Sequence, residues 1–451
     1  MIRIKRGLDL PITGSPEQTI ASSRPARSVA LLAHDYPGLK PTMEVTAGDR
    51  VDAGQLLFTD KKNPGVKFTA PASGNVAAIN RGAKRVFQSL VIDVDVDGDA
   101  TGEMFAACAP DEISKLDRDK VVQVLVDSGQ WTAIRSRPYS KIPRIDSSPH
   151  SIFITAMDSR PLAADPQLFI NEQGEAFLAG IDALSRLTEG RVFVCSEASA
   201  NIPRSKNTQV RHEQFTGPHP SGLAGTHIHF LDPVNAGKMV WSVGYQDVIS
   251  MGHLFLTGRL YFERVVSIAG PDVDRPRLLR TRLGASTDEL IAGELSASGE
   301  HRIISGSVLD GKTAIGAFAY LGRFHNQVSV LREGTQRELL GFIMPGAEKF
   351  SLTRLFASSF LGKKKFALTT SKGGSERAMV PLGTYEEIMP LDILATQLLR
   401  SLLVGDFDSS IDLGALELDE DDLALCTFAC PGKYEYGPYL RQMLTLIEAE
   451  G

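Results

Sequence analysis

Short apolar runs broken by glycine dominate the first hundred residues. Val45-Thr-Ala-Gly-Asp-Arg-Val-Asp-Ala-Gly-Gln-Leu-Leu-Phe58 alternates strand and turn, and Phe68-Thr-Ala-Pro-Ala-Ser-Gly-Asn-Val76 and Gln88 to Val94 supply further strands. With turns on Gly48, Gly54 and Gly74, the pattern predicts small, twisted strands. Near residue 112 the period changes. Asp119 to Val126 is apolar at helical spacing, and Ile152-Phe-Ile-Thr-Ala reads as a buried strand. Gly174 to Leu187 places Phe177, Leu178, Ile181, Leu184 and Leu187 on one helical face. Val192-Phe-Val-Cys follows as a strand, and Thr226 to Leu231, with His227-Ile-His-Phe, reads as another. Alternating strand and helix predict an α/β unit with mainly parallel pairing. From about Arg259 strands return, at Val265 to Pro271 and Arg277 to Gly284, with a short helix at Ser286 to Ile291. The last stretch predicts helices over Glu386 to Leu403, Glu420 to Ala429 and Pro438 to Glu450.

Composition narrows the class. The chain has 451 residues, enough for three or four domains, with 43% hydrophobic and 23% charged residues. No apolar run approaches the roughly 20 residues that span a bilayer. The basic N-terminus lacks the apolar core of a signal peptide. Four cysteines do not make a disulfide framework in a chain this size, and a net charge of −6 gives no electrostatic reason to expect nucleic acid. The expectation is a cytoplasmic protein whose membrane role, if any, comes through a partner.

Several segments carry chemistry. Gly217-Pro-His-Pro-Ser-Gly-Leu-Ala-Gly-Thr-His-Ile-His-Phe-Leu-Asp-Pro233 holds three histidines among prolines and glycines. As a loop followed by a strand, it puts His227 and His229 on one face, where they read as structural histidines or, with His219 and Asp232, as ligands. His34-Asp35-Tyr36-Pro37-Gly38 follows an apolar strand; a histidine beside a carboxylate can exchange protons, and the same residues also read as a shaped turn. Asp127-Ser-Gly-Gln-Trp-Thr-Ala-Ile-Arg-Ser-Arg-Pro138 offers Trp131, Arg135, Arg137 and the following Tyr139 as an aromatic surface beside fixed donors. That suits a flat ring with carbonyl acceptors, and ordinary packing explains it equally. Cys426 and Cys430 lie too far from Cys108 and Cys195 to suggest four thiolates around an iron–sulfur cluster. Lys363 to Lys365 and the acidic run Asp419 to Asp422 with Glu417 read as solvated turns or helix ends.

The order of Arg6-Gly-Leu-Asp-Leu-Pro-Ile12, Phe68 to Gly74, the histidine-rich segment and Cys430-Pro-Gly-Lys-Tyr-Glu-Tyr-Gly-Pro438 resembles one family throughout. It is that of the A subunits of the sodium-translocating NADH:quinone oxidoreductases (the bacterial sodium pump), related to the Rnf complex C subunit. The Gly-Asp-x-Val-x-x-Gly-Gln-x-Leu and Ala-Pro-x-x-Gly-x-Val pair resembles biotinyl/lipoyl half-barrels. Thr59-Asp60-Lys61 is similar to a lipoyl motif, but the long spacing to Ala70-Pro71 and a second lysine, Lys62, point to an unmodified turn. The implied fold is α+β and multidomain. It comprises a biotinyl/lipoyl-like half-barrel (1–110), a Rossmann-like α/β domain (111–256), a β-grasp soluble-ligand-binding domain (257–334) and a C-terminal helical domain (335–451).

The resemblance also implies a function. Rnf-type and complex I-type relatives carry a glycine-rich nucleotide loop where this chain has Gly129 followed by Gln130, Trp131, Ile134 and Arg135. NADH and flavin binding at this loop is therefore expected to be lost, which argues against a flavin-dependent NADH dehydrogenase. No catalytic, cofactor-binding or metal residue is expected. FMN, FAD, riboflavin and iron–sulfur would sit on partner subunits. The implied role is a peripheral one on the cytoplasmic face of the bacterial inner membrane, in a six-subunit complex, next to the membrane-embedded B subunit. The chain would help bind the substrate ubiquinone through His34, Asp35, Tyr36, Trp131, Arg135, Arg137 and Tyr139. The alternative is a structural scaffold without its own quinone site.

Overall fold

The structure, a computed structural model, describes residues 1–22, 25–95, 102–296, 299–335, 345–353, 355–360, 362 and 364–450. Two small sheets build the half-barrel. One runs in the order Ser28–Leu32, Phe87–Val94, Gly74–Arg81, Arg50–Val51, and the other Pro41–Met43, Leu56–Asp60, Lys67–Thr69. All their pairings are antiparallel. The turn glycines behave as the sequence predicts. Gly48 and Gly54 take φ of +97° and +91°, and a Cβ on Gly74 would strike the Asp93 carbonyl. Phe58 and Phe68 stack at 4.6 Å inside this unit.

A second sheet of six strands has the order Ile2–Arg3, Val210–Thr216, Val192–Glu197, Ile152–Ala156, Val240–Gly244, Arg135–Arg137. It is parallel except for the last strand, which runs antiparallel at the edge. The expected helix over Gly174 forms as Gly174–Ser185 and packs on Tyr245–Thr257. Glycine makes that contact close: side chains at Gly180 and Gly252 would collide with the Val248 and Ala176 carbonyls. A third sheet, mixed and also six-stranded, centres on Glu263–Ala269 between Arg277–Arg282 and Gln327–Arg332.

The first 22 residues do not belong to the half-barrel. Ile2–Arg3 joins the second sheet and Glu17–Ser22 forms the edge of the third, beside Arg277–Arg282. Residues 1–110 are therefore not one self-contained unit.

The C-terminal part holds helices Thr384–Ile388, Ala395–Val404, Phe407–Asp412, Glu420–Ala429 and Tyr436–Glu450 around Leu398, Leu402, Leu423, Tyr436 and Leu440. The helix predicted over Glu386 to Leu403 is broken after Ile388, because Pro390 cannot continue it. Among the described residues between 345 and 383 only a 3-10 turn, Ala357–Phe360, is regular, so this stretch departs from the helical reading.

Candidate functional site

The segment Thr226 to Leu231 corrects the sequence reading. It is a helix, Ala224–Leu231, not a strand. His227 and His229 then point to different neighbours. His227 is fully buried against Phe215 and its Nε2 donates to the Ser221 carbonyl at 3.0 Å; burial pulls its pKa down to about 4. The Nε2 of His229 accepts from the Asp392 backbone N–H at 3.0 Å, so its Nδ1 carries the proton toward Glu417 Oε2 at 2.7 Å. His219 meets Ser159 Oγ at 3.1 Å. No metal-binding cluster occurs among the described residues. Periodicity over so short a run cannot separate strand from helix.

The acidic run is likewise not a solvated turn. Asp419 caps the helix Glu420–Ala429 and, with its neighbours, receives arginines from three sides. Arg137 donates to Asp422 Oδ2 at 2.9 Å and to the Glu417 carbonyl at 2.8 Å. Arg160 reaches Asp421 at 2.9 Å and Asp310 at 2.6 Å, while Arg441 reaches Asp419 at 2.9 Å. Arg135 stands 3.2 Å from Asp419. Burial disfavours the charged Arg137 guanidinium, but Asp422, Asp419 and Asp421 outweigh it and raise its pKa. The network joins the second sheet to the C-terminal helices. In the basic run, Lys364 pairs with Glu348 and Lys365 donates to Ser15 Oγ at 2.9 Å, while Lys363 lies outside the described residues.

The candidate quinone contacts fall into two groups. Trp131 has no free face: it is 0% exposed, meets Trp241 edge-on at 5.4 Å and donates to the Pro143 carbonyl at 2.9 Å. Arg137 is committed to the acidic run. Tyr139 packs against the C-terminal helical core, and its carbonyl accepts from Arg441 at 2.6 Å. These three sit between domains as packing.

His34, Asp35, Tyr36 and Arg135 converge elsewhere. Asp35 ends a 3-10 turn, Ala33–Asp35, and its Oδ2 accepts from the Arg323 N–H at 2.8 Å. His34 Nε2 lies 3.5 Å from Asp35 Oδ1 and its ring 5.1 Å from Phe318. Burial lowers the His34 pKa, partly opposed by Asp35. Tyr36 is edge-on to Phe68 at 4.9 Å and to Phe324 at 6.2 Å, and Arg135 covers Phe324 at 4.6 Å. Burial pushes the Tyr36 phenol pKa up. Sequence reasoning missed Arg323 and Phe324. Their adjacency to Tyr36 spans almost 290 positions, and no local pattern signals it.

A cavity of ≈ 40 Å³ adjoins this group, walled by Leu31, Tyr36, Phe68, Gln130, Phe262 and Arg323, among others. The degenerate nucleotide loop forms one side of it. Gly129 has φ +75°, and a Cβ there would run into the Thr69 hydroxyl, which itself donates to the Ser128 carbonyl at 3.0 Å. The half-barrel thus fills the space above the one glycine that remains. A flavin or dinucleotide phosphate does not fit at this loop, since backbone N–H groups must lie open to approach it.

These features define a multidomain α+β protein in which a half-barrel closes over a former nucleotide loop. Family models match in three places, as the NqrA N-terminal barrel-sandwich hybrid domain (2–95), second alpha/beta domain (116–260) and C-terminal domain (265–315). The chain is 60% identical to the A subunit of the Na(+)-translocating NADH-quinone reductase of Pseudomonas aeruginosa, and 58% identical to those of Hahella chejuensis and Vibrio parahaemolyticus. Each alignment spans 100% of both chains. The chain belongs to this family of subunits of an oxidoreductase complex. A solved NAD+-reducing [NiFe]-hydrogenase covers 49% of this chain and 48% of its own at 10% identity, with a TM-score of 0.36, too distant to bear on the fold. No helix among the described residues is long and apolar enough to cross a membrane.

Proposed function

We propose that this chain is a peripheral subunit, on the cytoplasmic face of the membrane, that contributes to quinone binding while its complex passes electrons from NADH to ubiquinone and exports sodium. The relatives' names supply the reaction, and the cluster of His34, Asp35, Tyr36 and Arg135 supplies the place. FMN, FAD, riboflavin and iron–sulfur are assigned to partner subunits, with the membrane-embedded B subunit as the neighbour. The second and third sheets are read as Rossmann-like and β-grasp units, following domain boundaries near 111, 257 and 335.

One observation carries the quinone reading: a cavity whose wall includes Tyr36 lies beside the Arg135-capped Phe324 ring. Aromatic faces stack a flat ring, arginine donates to carbonyl oxygens, and His34 beside Asp35 offers proton exchange for a reaction that takes up two protons. Trp131, Arg137 and Tyr139 are withdrawn from direct contact in this reading, because each is engaged in packing.

The test uses the assembled complex. Tyr36→Leu and Arg135→Gln are expected to weaken quinone affinity by roughly five- to a hundred-fold, while NADH-to-flavin electron transfer is unchanged. Wild-type quinone kinetics in both variants would favour the scaffold alternative. That alternative rests on the ion network, which uses Arg135 and Arg137 to dock the C-terminal helices.

A further inference from the structure

We infer that Gln130 is a hydroxyl-recognising residue in the ≈ 40 Å³ cavity, so that the site holds the hydroquinone form of its ligand more tightly than the quinone. This rests on the quinone reading above and assigns the product side of that site.

Gln130 begins the 3-10 turn Gln130–Ala133 and is 4% exposed. Its amide orientation follows from its neighbours. Ser250 Oγ donates its single proton to the Tyr261 carbonyl at 2.5 Å, and a carbonyl can only accept. Ser250 must therefore accept from Gln130, and it does so from Nε2 at 3.0 Å. That fixes the nitrogen on Ser250 and leaves Oε1 as the other end. Oε1 is buried and has no hydrogen-bond partner among the described residues. A buried acceptor without a donor costs about 1–3 kcal/mol. Such an atom calls for a donor from outside the protein.

The donor's class follows from the cavity. Gln130 shares its walls with apolar Ala30, Leu31, Leu32, Phe68 and Leu321. A quinone offers only carbonyl acceptors, which would oppose Oε1. A hydroquinone offers O–H donors, which satisfy it. The quinone's two-electron, two-proton reduction by the complex converts the first into the second at fixed carbon skeleton.

The cavity is smaller than the roughly 300–1,000 Å³ typical of ligand pockets, so a ring enters only when a wall moves. Phe262 is that wall. It lines both the cavity and an open groove of ≈ 510 Å³ that also touches Leu260, Tyr261 and Arg259. Its ring lies under the Arg282 guanidinium at 5.1 Å.

The experiment uses the assembled complex with a water-soluble one-isoprene ubiquinone as substrate and its quinol as product inhibitor. Gln130→Met, nearly the same shape, is expected to raise the quinol inhibition constant about ten-fold while the quinone KM moves less than about two-fold. Ser250→Ala frees the amide to turn its N–H₂ toward the cavity and is expected to reverse the preference, tightening quinone relative to quinol. A purely structural role for Gln130 would move both constants together. Equal changes in both, or none in either variant, overturn the assignment; the second result means that a resident water satisfies Oε1. The quinone site itself fails separately, if Tyr36→Leu and Arg135→Gln leave quinone kinetics untouched.

Discussion

At the residue scale, aromatic and basic side chains of the same loop have opposite fates. Trp131 has the character of a stacking platform, but its indole is fully enclosed between Trp241 and the Pro143 carbonyl. Trp131→Ala should therefore cost about 3–5 kcal/mol of stability by leaving a cavity, read as a fall in thermal midpoint. A stable Trp131→Ala protein with altered quinone affinity alone would contradict this placement. Gly129 shows how a local signal is reused: the positive φ survives, but Thr69 occupies the space in front of it. From this follows a prediction about the purified chain, which should retain no flavin and oxidise no NADH. Stoichiometric flavin absorbance carried through gel filtration would refute it.

At the scale of elements, the N-terminus of the helix Glu420–Ala429 is the strongest case. Its carboxylates are clustered, buried and tied to Arg137, Arg160 and Arg441. Burial, reinforced by Asp422 and Asp419, pushes the Asp421 carboxyl up to about 7, against the pull of Arg160 and Arg137. The folded chain thus binds this proton more tightly than the unfolded chain does. The associated stability is full below the ordinary carboxylate pKa and is lost as pH rises through about 7. Asp421→Asn cannot titrate. Its thermal midpoint, relative to the parent, should move in the variant's favour between about pH 5 and pH 8, whatever offset the lost Arg160 contact adds. A pH-independent difference would show that Asp421 is ionised throughout. The neighbouring cysteines differ for similar reasons. Burial pushes Cys426 up to about 12, whereas hydrogen bonds from Tyr385 and Tyr436 overcome burial and lower Cys430.

For the whole molecule, the N-terminal tail acts as a clasp. Ile2–Arg3 extends one six-stranded sheet and Glu17–Ser22 the other, before the chain enters the half-barrel. The buried Arg264–Asp247–Arg323 bridge holds the same two units, with both arginines 2.5 Å from Asp247 Oδ1. Deleting residues 1–22 exposes two strand edges and removes one of these ties. The truncated chain should be cut faster by a low dose of protease between Thr257 and Glu263, the link between the two sheets. Unchanged cleavage and an unchanged thermal midpoint would mean that the ion bridge and core packing suffice alone.

Sequence alone determined the features that depend on near neighbours. Glycine turns set the half-barrel strands, the apolar stripe of Gly174–Ser185 set its buried face, and alternating periods separated the strand-rich and α/β stretches. The missing glycines after Gly129 also foretold the loss of a phosphate cradle. Tertiary structure decided whatever depends on partners far along the chain. The alternation in Thr226 to Leu231 fits a strand, yet packing made it a helix, with Gly225 pressed against Asp422. The acidic run reads as solvated until arginines from the second sheet surround it. His34 and Arg135 lie about a hundred positions apart, and Phe324 comes almost two hundred later. Only the folded chain brings them to one cavity, because burial and charge pairing act through space and leave no periodic trace in sequence.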